Sequence, residues 1–255
     1  MKKLLFALLF LVVTAGIFSL TSSAFRKPIA KITSAGAAEG FVVMELFTSH
    51  GCSSCPPADE LLGKYAAQNN PDIIPLSFHV DYWNRLGWKD SFSNASFSQR
   101  QRLYEKSIAN SSVYTPQLII NGTQEMVGSE ESKIASAVIK ALALKPAVII
   151  TISRQEIKDG ELIVQYSTTG NIGNNNILAL LVQIRATTKI KAGENNGATL
   201  TSYNVVRSMV SVPAKGAGTC IVAIPAGFTA NNYSIVLLAQ NAGSLKITGA
   251  VKKSA

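Results

Sequence analysis

The sequence is poor in charged residues and in cysteine. Charged side chains make up 15% of its 255 residues and hydrophobic ones 47%, against about 25% charged in an average soluble domain, which excludes a disordered chain. Basic residues outnumber acidic ones, 24 to 15. No basic run exceeds two residues, however, so the clustered charge that nucleic-acid binding needs is missing and no nucleic-acid partner is expected. Three cysteines are too few for a disulfide-stapled mini-protein.

Long hydrophobic runs are also scarce. The one run that approaches a membrane span covers residues 4–20, follows two lysines and precedes small residues ending at Ala24. That order is typical of a secretory signal peptide over residues 1–24. An uncleaved anchor is the alternative, and it is the only membrane contact that the sequence predicts. We therefore expect a secreted or periplasmic protein, in a compartment where disulfides persist.

The pattern of the mature chain changes near residue 146, which predicts two domains. Residues 25–38 are rich in Ala, Ser and Lys and are predicted to be a linker. Residues 39–145 alternate apolar strand-like runs with helix-compatible segments in the order βαβαββα, with an inserted helix. Residues 146–255 contain seven short apolar runs separated by Gly, Asn and Pro clusters, which indicates an all-β, sandwich-like domain.

A Cys-x-x-Cys motif lies between a predicted buried strand and a predicted helix. Cys52 and Cys55 follow the apolar run 41–47, and the next residues, Pro56 and Pro57, suit a first helical turn. Unpaired amides and the positive helix end favour the thiolate of Cys52, which we expect to be the nucleophile. Cys55 would resolve a mixed disulfide formed at Cys52. A purely structural disulfide is the alternative interpretation.

The dipeptide Thr115-Pro116 opens a later predicted strand and strengthens the interpretation of the motif. Proline is tolerated at the start of a strand, and an X-Pro bond adopts the cis form at a cost of only about 0.5 to 1 kcal/mol. The backbone of these two residues would then hold an extended client chain beside Cys52 by strand addition. An ordinary trans proline is the alternative.

These motifs, with several others, resemble a known family. The segments concerned are ELFTSHGCSSCPPAD at 45–59, HVDYW at 79–83, GWKD at 87–90, YTPQ at 114–117, NG at 121–122 and GENNG at 193–197. They closely resemble the DUF1223 family of secreted thioredoxin-like proteins, over almost the whole mature chain. The resemblance implies a thioredoxin-like fold for residues 39–145, with Pro116 in the place of its cis-proline, and a redox site at the motif. It implies no cofactor and names no substrate.

Four further side chains are candidates for the site. Glu45 lies inside an apolar strand, where a carboxylate is costly to bury, and is a candidate proton carrier for Cys55. A Glu that faces solvent is the alternative. Trp83, Trp88 and Tyr114 are candidates to cover the motif and bind substrate, although core packing explains such residues equally well.

The predicted function is thiol–disulfide exchange on protein thiols and disulfides, with a second redox protein that recycles the cysteine pair. One alternative is a Cu(I) carrier that uses both thiolates with His50 or His79. The other is a non-catalytic envelope binding module with a structural disulfide. His50 itself is expected to be a solvated surface side chain, and no metal site is predicted.

Overall fold

The structure, a computed structural model, describes residues 40–255. The predicted signal peptide (residues 1–24) and the predicted linker (residues 25–38) lie outside this range. The described chain contains three α-helices and eleven strands in a mixed α/β arrangement. None of the helices in this range is long and apolar enough to cross a membrane.

The first half of the described chain alternates strands and helices. In chain order the elements are β1 (Val42–Thr48), α1 (Pro56–Ala67), β2 (Ile73–His79), α2 (Ala95–Ser107), β3 (Gln117–Ile120), β4 (Gln124–Val127) and α3 (Glu131–Leu142). β1 pairs parallel with β2 and antiparallel with β3, which in turn pairs antiparallel with β4. The element order is the βαβαββα order predicted from the sequence.

The second half is built from strands and one short 3-10 turn. The strands are β5 (Val148–Lys158), β6 (Glu161–Gly170), β7 (Asn175–Lys189), β8 (Thr199–Pro213), β9 (Ala217–Ala223), β10 (Tyr233–Asn241) and β11 (Ile247–Ser254). Each of the seven apolar runs predicted beyond residue 146 overlaps one of these strands. β7 and β8 are the longest, at 15 residues each, and pair with one another along most of their length.

One large sheet contains strands from both halves of the chain. Its strand order is β11-β10-β7-β8-β2-β1-β3-β4, so β8 lies beside β2. At this junction Ser77 pairs in parallel with Val205, and the side-chain amide of Asn204 donates to the carbonyl of Pro75 at 2.9 Å. All described residues belong to one compact unit. The boundary predicted near residue 146 therefore marks a change of sequence pattern inside that unit.

A small sheet, β5-β6-β9, packs on one face of β7 and β10 in the large sheet, and α2 packs on the opposite face of the large sheet. Alternate residues of β7 point to the two sides: Leu181 packs in the core between the sheets, whereas Leu180 packs in the core that contains Phe97 and Tyr104 of α2. β7 thus reads as a continuous apolar run because both of its faces are buried. Cys220, on β9, is a free cysteine buried between the sheets.

Close packing of α1 on β8 fixes the position of the cysteine motif. A Cβ atom at Gly63 of α1 would lie 2.5 Å from the ring of Tyr203, so only a glycine lets the helix approach the strand this closely. Cys55 directly precedes the first residue of α1. Because α1 begins directly after Cys55, its packing on β8 also fixes the motif relative to a strand of the second half.

Candidate functional site

Cys52 and Cys55 lie in the turn between β1 and α1 and are joined in a disulfide. Their Sγ atoms are 2.23 Å apart and their Cα atoms 5.4 Å apart. The carbonyl of Cys55 accepts hydrogen bonds from the backbone N–H groups of Ala58 and Asp59, at 2.9 and 3.1 Å. The motif therefore occupies the positive end of α1, the position that the sequence predicted.

Both cysteines are fully buried, whereas a nucleophilic sulfur at Cys52 has to be reachable by its client. The exposed fraction is 0% for Cys52 and 0% for Cys55. The turn between β7 and β8, residues 193–197, lies against the motif, and we call it the cover loop. This loop follows the motif by about 140 residues in sequence, as the separations of its contacts show.

Two side chains of the cover loop hold the backbone of the motif. Asn195 Nδ2 donates to the carbonyl oxygens of His50 and Cys52, at 2.8 and 3.0 Å. Glu194 Oε2 accepts the backbone N–H of Ser53 at 2.9 Å. Hydrogen bonds from Ser53 lower the pKa of Glu194, so a carboxylate stands beside the motif at neutral pH. Its negative charge disfavours a thiolate at Cys52.

Trp83 connects the motif with Thr115 and Pro116. The peptide bond between these two residues is cis. The indole Nε1 of Trp83 donates to Thr115 Oγ1 at 2.9 Å. A Cβ atom at Gly51, the residue before Cys52, would lie 3.2 Å from the Cβ of Trp83. Trp83 thus packs beside Cys52 and holds the Thr115–Pro116 segment on the same side.

Pro116 lies beside the first turn of α1. A Cβ atom at Gly128 would be 3.1 Å from the Cβ of Ala58 and 3.4 Å from that of Pro116. The backbone N–H of Gly128 donates to the carbonyl of Pro116 at 2.9 Å. Because Gly128 has no side chain, Pro116 can approach the turn that follows Cys55.

The other two predicted substrate-binding residues have different surroundings. Trp88 packs against the cover loop. A Cβ atom added at Gly193 would lie only 3.2 Å from the Cβ of Trp88. Tyr114 instead lines a separate cavity of about 630 Å³ between β4 and α3, where its hydroxyl donates to Glu125. The structure therefore places Trp88 next to the cover loop, whereas the side chain of Tyr114 lies in a different part of the molecule.

Glu45 is fully buried, but its contacts correct the prediction that it carries the proton of Cys55. Arg100 Nε donates to Glu45 Oε2 at 2.7 Å, and Arg100 Nη2 donates to Oε1 at 2.8 Å. The hydroxyl of Tyr104 donates to the same Oε1 at 2.9 Å. The bidentate pair with arginine occupies both oxygens of the carboxyl group. Glu45 therefore anchors α2 to β1, a structural role.

Next to the motif, two histidines converge on Asp90. Asp90 Oδ2 accepts the backbone N–H of His50 at 2.8 Å and lies 2.7 Å from His79 Nδ1. Asp90 Oδ1 accepts the backbone N–H of Phe92 at 2.9 Å and lies 3.3 Å from His50 Nδ1. The other ring nitrogen of His50 is 2.9 Å from Ser202 Oγ. His50 is only 2% exposed, so the prediction of a solvated histidine is wrong.

His79 and Asp90 form a buried ion pair. Burial by itself would lower the pKa of His79, but the charge of Asp90 and the hydrogen bond to it raise that pKa above its usual value. Burial likewise would raise the pKa of Asp90, yet the charge of His79 and hydrogen bonds from His50 and His79 hold it well below its usual range. At neutral pH we therefore assign an imidazolium at His79 and a carboxylate at Asp90.

The same three residues are close enough to be considered as metal ligands. His50, His79 and Asp90 offer one ligand atom each, and these atoms lie within 4.8 Å of one another. Two backbone N–H groups and a protonated imidazole already occupy the carboxylate, however, and a protonated ring nitrogen cannot bind a metal. We interpret the group as an ion-pair network. The copper-carrier alternative needs two free thiolates and so concerns only the reduced protein.

Asp59, which sequence reasoning did not single out, adds a second carboxyl group to this region. It lies on α1, four residues after Cys55, and is 8% exposed. Its Oδ2 accepts the hydroxyl of Thr48 at 3.0 Å, while its Oδ1 has no hydrogen-bond partner among the described residues. Burial raises the pKa of Asp59 to about 7, against the lowering effects of His79 and Thr48. The sequence signal was its i,i+4 spacing from Cys55.

A family model matches residues 43–240, a range that includes the cysteine motif, the ion pair and the cover loop. The family is described as "Protein of unknown function (DUF1223)". The chain belongs to the DUF1223 family. This membership confirms the resemblance found in the sequence, and it brings no activity with it. No curated protein matches the chain.

Solved structures also resemble this DUF1223 protein. The crystal structure of protein AGR_C_4864 from Agrobacterium tumefaciens is 29% identical, covers 85% of this chain and 94% of that one, and has a TM-score of 0.65. The crystal structure of a domain of the outer membrane lipoprotein Omp28 from Porphyromonas gingivalis is 16% identical over 42% of this chain and 93% of that one. Its TM-score is 0.26.

Proposed function

We propose that this DUF1223 protein is an exported thiol–disulfide oxidoreductase that acts on protein thiols and disulfides through Cys52 and Cys55. The observation that carries the proposal is the disulfide between these residues at the N-terminal end of α1. Helix ends of this polarity stabilise a thiolate, which is the reactive form of cysteine. The neighbouring Thr115–Pro116 segment would hold the client backbone, as the sequence suggested.

We further propose that β1 to α3 form a thioredoxin-like fold. Two observations support this proposal. The strands β1 and β2 pair in parallel and are connected in the chain by α1, and the antiparallel strands β3 and β4 precede α3 in the chain. A fold of this kind does not by itself define an activity. The functional proposal therefore depends on the cysteines and their surroundings.

The exchange reaction balances with two electrons and two protons. When the protein oxidises a client, a client thiolate attacks Cys52 Sγ, the bond between the two sulfurs breaks, and Cys55 leaves as a thiolate that takes up a proton. A second client thiolate then attacks the client sulfur of the mixed disulfide and displaces Cys52. Ser54 Oγ lies 3.3 Å from Cys52 Sγ and can donate to this thiolate. A second dithiol–disulfide protein must restore the starting state.

Exchange also requires that the cover loop move, because an attacking thiolate has to reach Cys52 Sγ. The loop is held to the motif by the side chains of Glu194 and Asn195. Hydrogen bonds of this kind contribute about 0.5 to 1.5 kcal/mol each, so local opening is accessible without global unfolding. We propose that the described state is a closed, oxidised form.

An extracytoplasmic location completes the proposal. The disulfide of the described chain would persist outside the cytoplasm, where thiols are not kept reduced. The predicted signal peptide at residues 1–24 supports the same location.

Substitution of the three cysteines tests the proposed activity. With a dithiol peptide as client, C52S and C55S are expected to abolish turnover, because neither can form the 52–55 disulfide. C55S should also accumulate a mixed disulfide at Cys52, which mass spectrometry would detect. C220S is the matched control: its sulfur lies between the two sheets, and turnover should be unchanged. Turnover that persists in C52S, or a wild-type protein that does not turn over, would contradict the proposal.

A further inference from the structure

Asp59 is a buried carboxyl group that the exchange reaction described above does not yet use. It follows Cys55 by four residues on α1, and its backbone N–H donates to the carbonyl of Cys55 at 3.1 Å. Side chains at this spacing lie on the same helix face, and the Cα–Cβ bond of the later residue tilts toward the helix N-terminus. The carboxyl group of Asp59 is therefore directed toward the turn that carries the disulfide.

We propose that Asp59 exchanges a proton with the sulfur of Cys55 during disulfide exchange, and that the ion pair between His79 and Asp90 tunes Asp59 for this task. The inference rests on the proposed function and deepens it. In this scheme Asp59 is the proton donor and acceptor, and His79 is a positioning residue that acts through charge.

The groups around Asp59 leave one of its oxygens available. From β1, the hydroxyl of Thr48 occupies Oδ2 at 3.0 Å. From β2, the charge of His79 acts on Asp59. The Nε2 atom of His79 is buried and has no hydrogen-bond partner among the described residues. The remaining charged neighbour is Asp90 in the loop after β2, and its carboxylate is already paired with His79. Oδ1 of Asp59 has no such partner in the described chain.

The charges of this cluster favour a carboxyl group that changes protonation near neutral pH. The imidazolium of His79 and the carboxylate of Asp90 cancel one another. An ionised Asp59 would therefore add an uncompensated buried anion, which is why burial raises its pKa to about 7, whereas the charge of His79 lowers it. A group that titrates near the working pH can both give and accept a proton.

The proton and electron pairs balance in both directions. When a client thiolate attacks Cys52 Sγ, the S–S bond breaks, its electron pair goes to Cys55 Sγ, and the acid form of Asp59 gives that sulfur its proton. In the reverse direction the Cys55 thiol gives its proton to the Asp59 carboxylate. The Cys55 sulfur then attacks the mixed disulfide at Cys52 and releases the client as a thiolate.

The pH dependence of disulfide reduction in Asp59→Asn tests this inference. The probe is dithiothreitol, and the rate constant for reduction of the 52–55 disulfide is divided by the fraction of dithiothreitol present as thiolate. For the wild-type protein this corrected rate constant should fall at least tenfold as pH rises through about 7, because the acid form of Asp59 is lost. For D59N it should be independent of pH and at least tenfold lower at pH 6. Asp159→Asn, in the β5–β6 turn, is the matched control.

A second measurement keeps the test valid if D59N folds poorly. The carboxyl carbon of Asp59 in wild-type protein is titrated by NMR in the oxidised and the reduced state. Coupling to the Cys55 sulfur should give the carboxyl a different pKa in the two states. Equal values, or a wild-type rate profile without the fall near pH 7, would overturn the role of Asp59 while leaving exchange itself intact. A wild-type disulfide that dithiothreitol does not reduce would overturn both proposals.

A third variant tests whether the charge of His79 influences the protonation of Asp59. In His79→Gln the positive charge that lowers the pKa of Asp59 is gone, so the fall in the corrected rate constant should move to higher pH. An inflection at the wild-type pH would overturn the part assigned to His79.

Discussion

Replacement of Arg100 by alanine is expected to lower the free energy of unfolding by about 3 to 5 kcal/mol, because it leaves a buried carboxylate without its partner. Arg100 is 6% exposed and Glu45 is 0% exposed. The guanidinium also donates to Gln240 Oε1 on β10 at 3.0 Å. One side chain thus connects α2 with β1 and with a strand of the second half. Urea denaturation of R100A and wild-type protein measures the difference.

Arg102 provides the matched control for this substitution. It lies two residues further along α2 and is exposed. R102A is expected to change the free energy of unfolding by no more than about 0.5 kcal/mol, as exposed surface substitutions usually do. A loss in R100A that is no larger than that of R102A would contradict the structural role assigned to the pair of Glu45 and Arg100.

Removal of the cover-loop contacts is expected to accelerate reduction of the 52–55 disulfide. In the double variant E194A/N195A three hydrogen bonds to the motif are lost. If these contacts together contribute about 2 kcal/mol to the closed state, the open population and the reduction rate should rise about thirtyfold. Stopped-flow reduction by dithiothreitol at one pH gives the rate constants.

Asn196 is the control for the cover loop. It lies in the same turn, and within the described chain its side chain makes no hydrogen bond to the motif, so N196A should be reduced at the wild-type rate. Glu194→Gln distinguishes the effect of the negative charge from the effect of the hydrogen bond that closes the loop. It keeps an acceptor for the backbone N–H of Ser53 and removes the charge. If the disulfide of E194A/N195A is reduced no faster than that of the wild-type protein, the result would contradict the role of the cover loop in limiting access to Cys52.

Local patterns in the sequence were sufficient to predict most of the elements. The apolar run before the motif became β1, and Pro56 and Pro57 begin α1 as expected, because proline suits a first helical turn. The motif and the Thr115–Pro116 segment could be recognised for the same reason, since each is contiguous in the chain. Trp83 could be expected near the motif because it closely follows β2, the neighbour of β1.

The contacts that decide the chemistry of the site are long-range and could not be predicted. Glu45 looked like a catalytic carboxylate in isolation, and only the folded chain brings Arg100 to it, 55 residues away. The cover loop reaches the motif from about 140 residues further along the chain. His50 looked solvent-exposed, but Asp90 and a serine of β8 enclose it. Charge and burial at such positions depend on partners that no local pattern specifies.

Opposing effects act on the thiolate form of Cys52 in the reduced protein. The positive end of α1 and the hydroxyl of Ser54 favour its thiolate, whereas full burial and the carboxylate of Glu194 disfavour it. The motif alone therefore does not set the reduction potential of the pair. The reduction potential distinguishes an exchange-active pair from an inert structural disulfide, and it can be measured directly.

Equilibration of the 52–55 pair with a series of glutathione buffers tests the central proposal most directly. The fraction of reduced protein is measured after acid quenching and alkylation, with Cys220 replaced by serine so that only the pair is counted. The account predicts reversible equilibration and a reduction potential above about −300 mV, the range of exchange-active pairs. A disulfide that stays oxidised in buffers poised below that value would contradict it and identify the pair as structural.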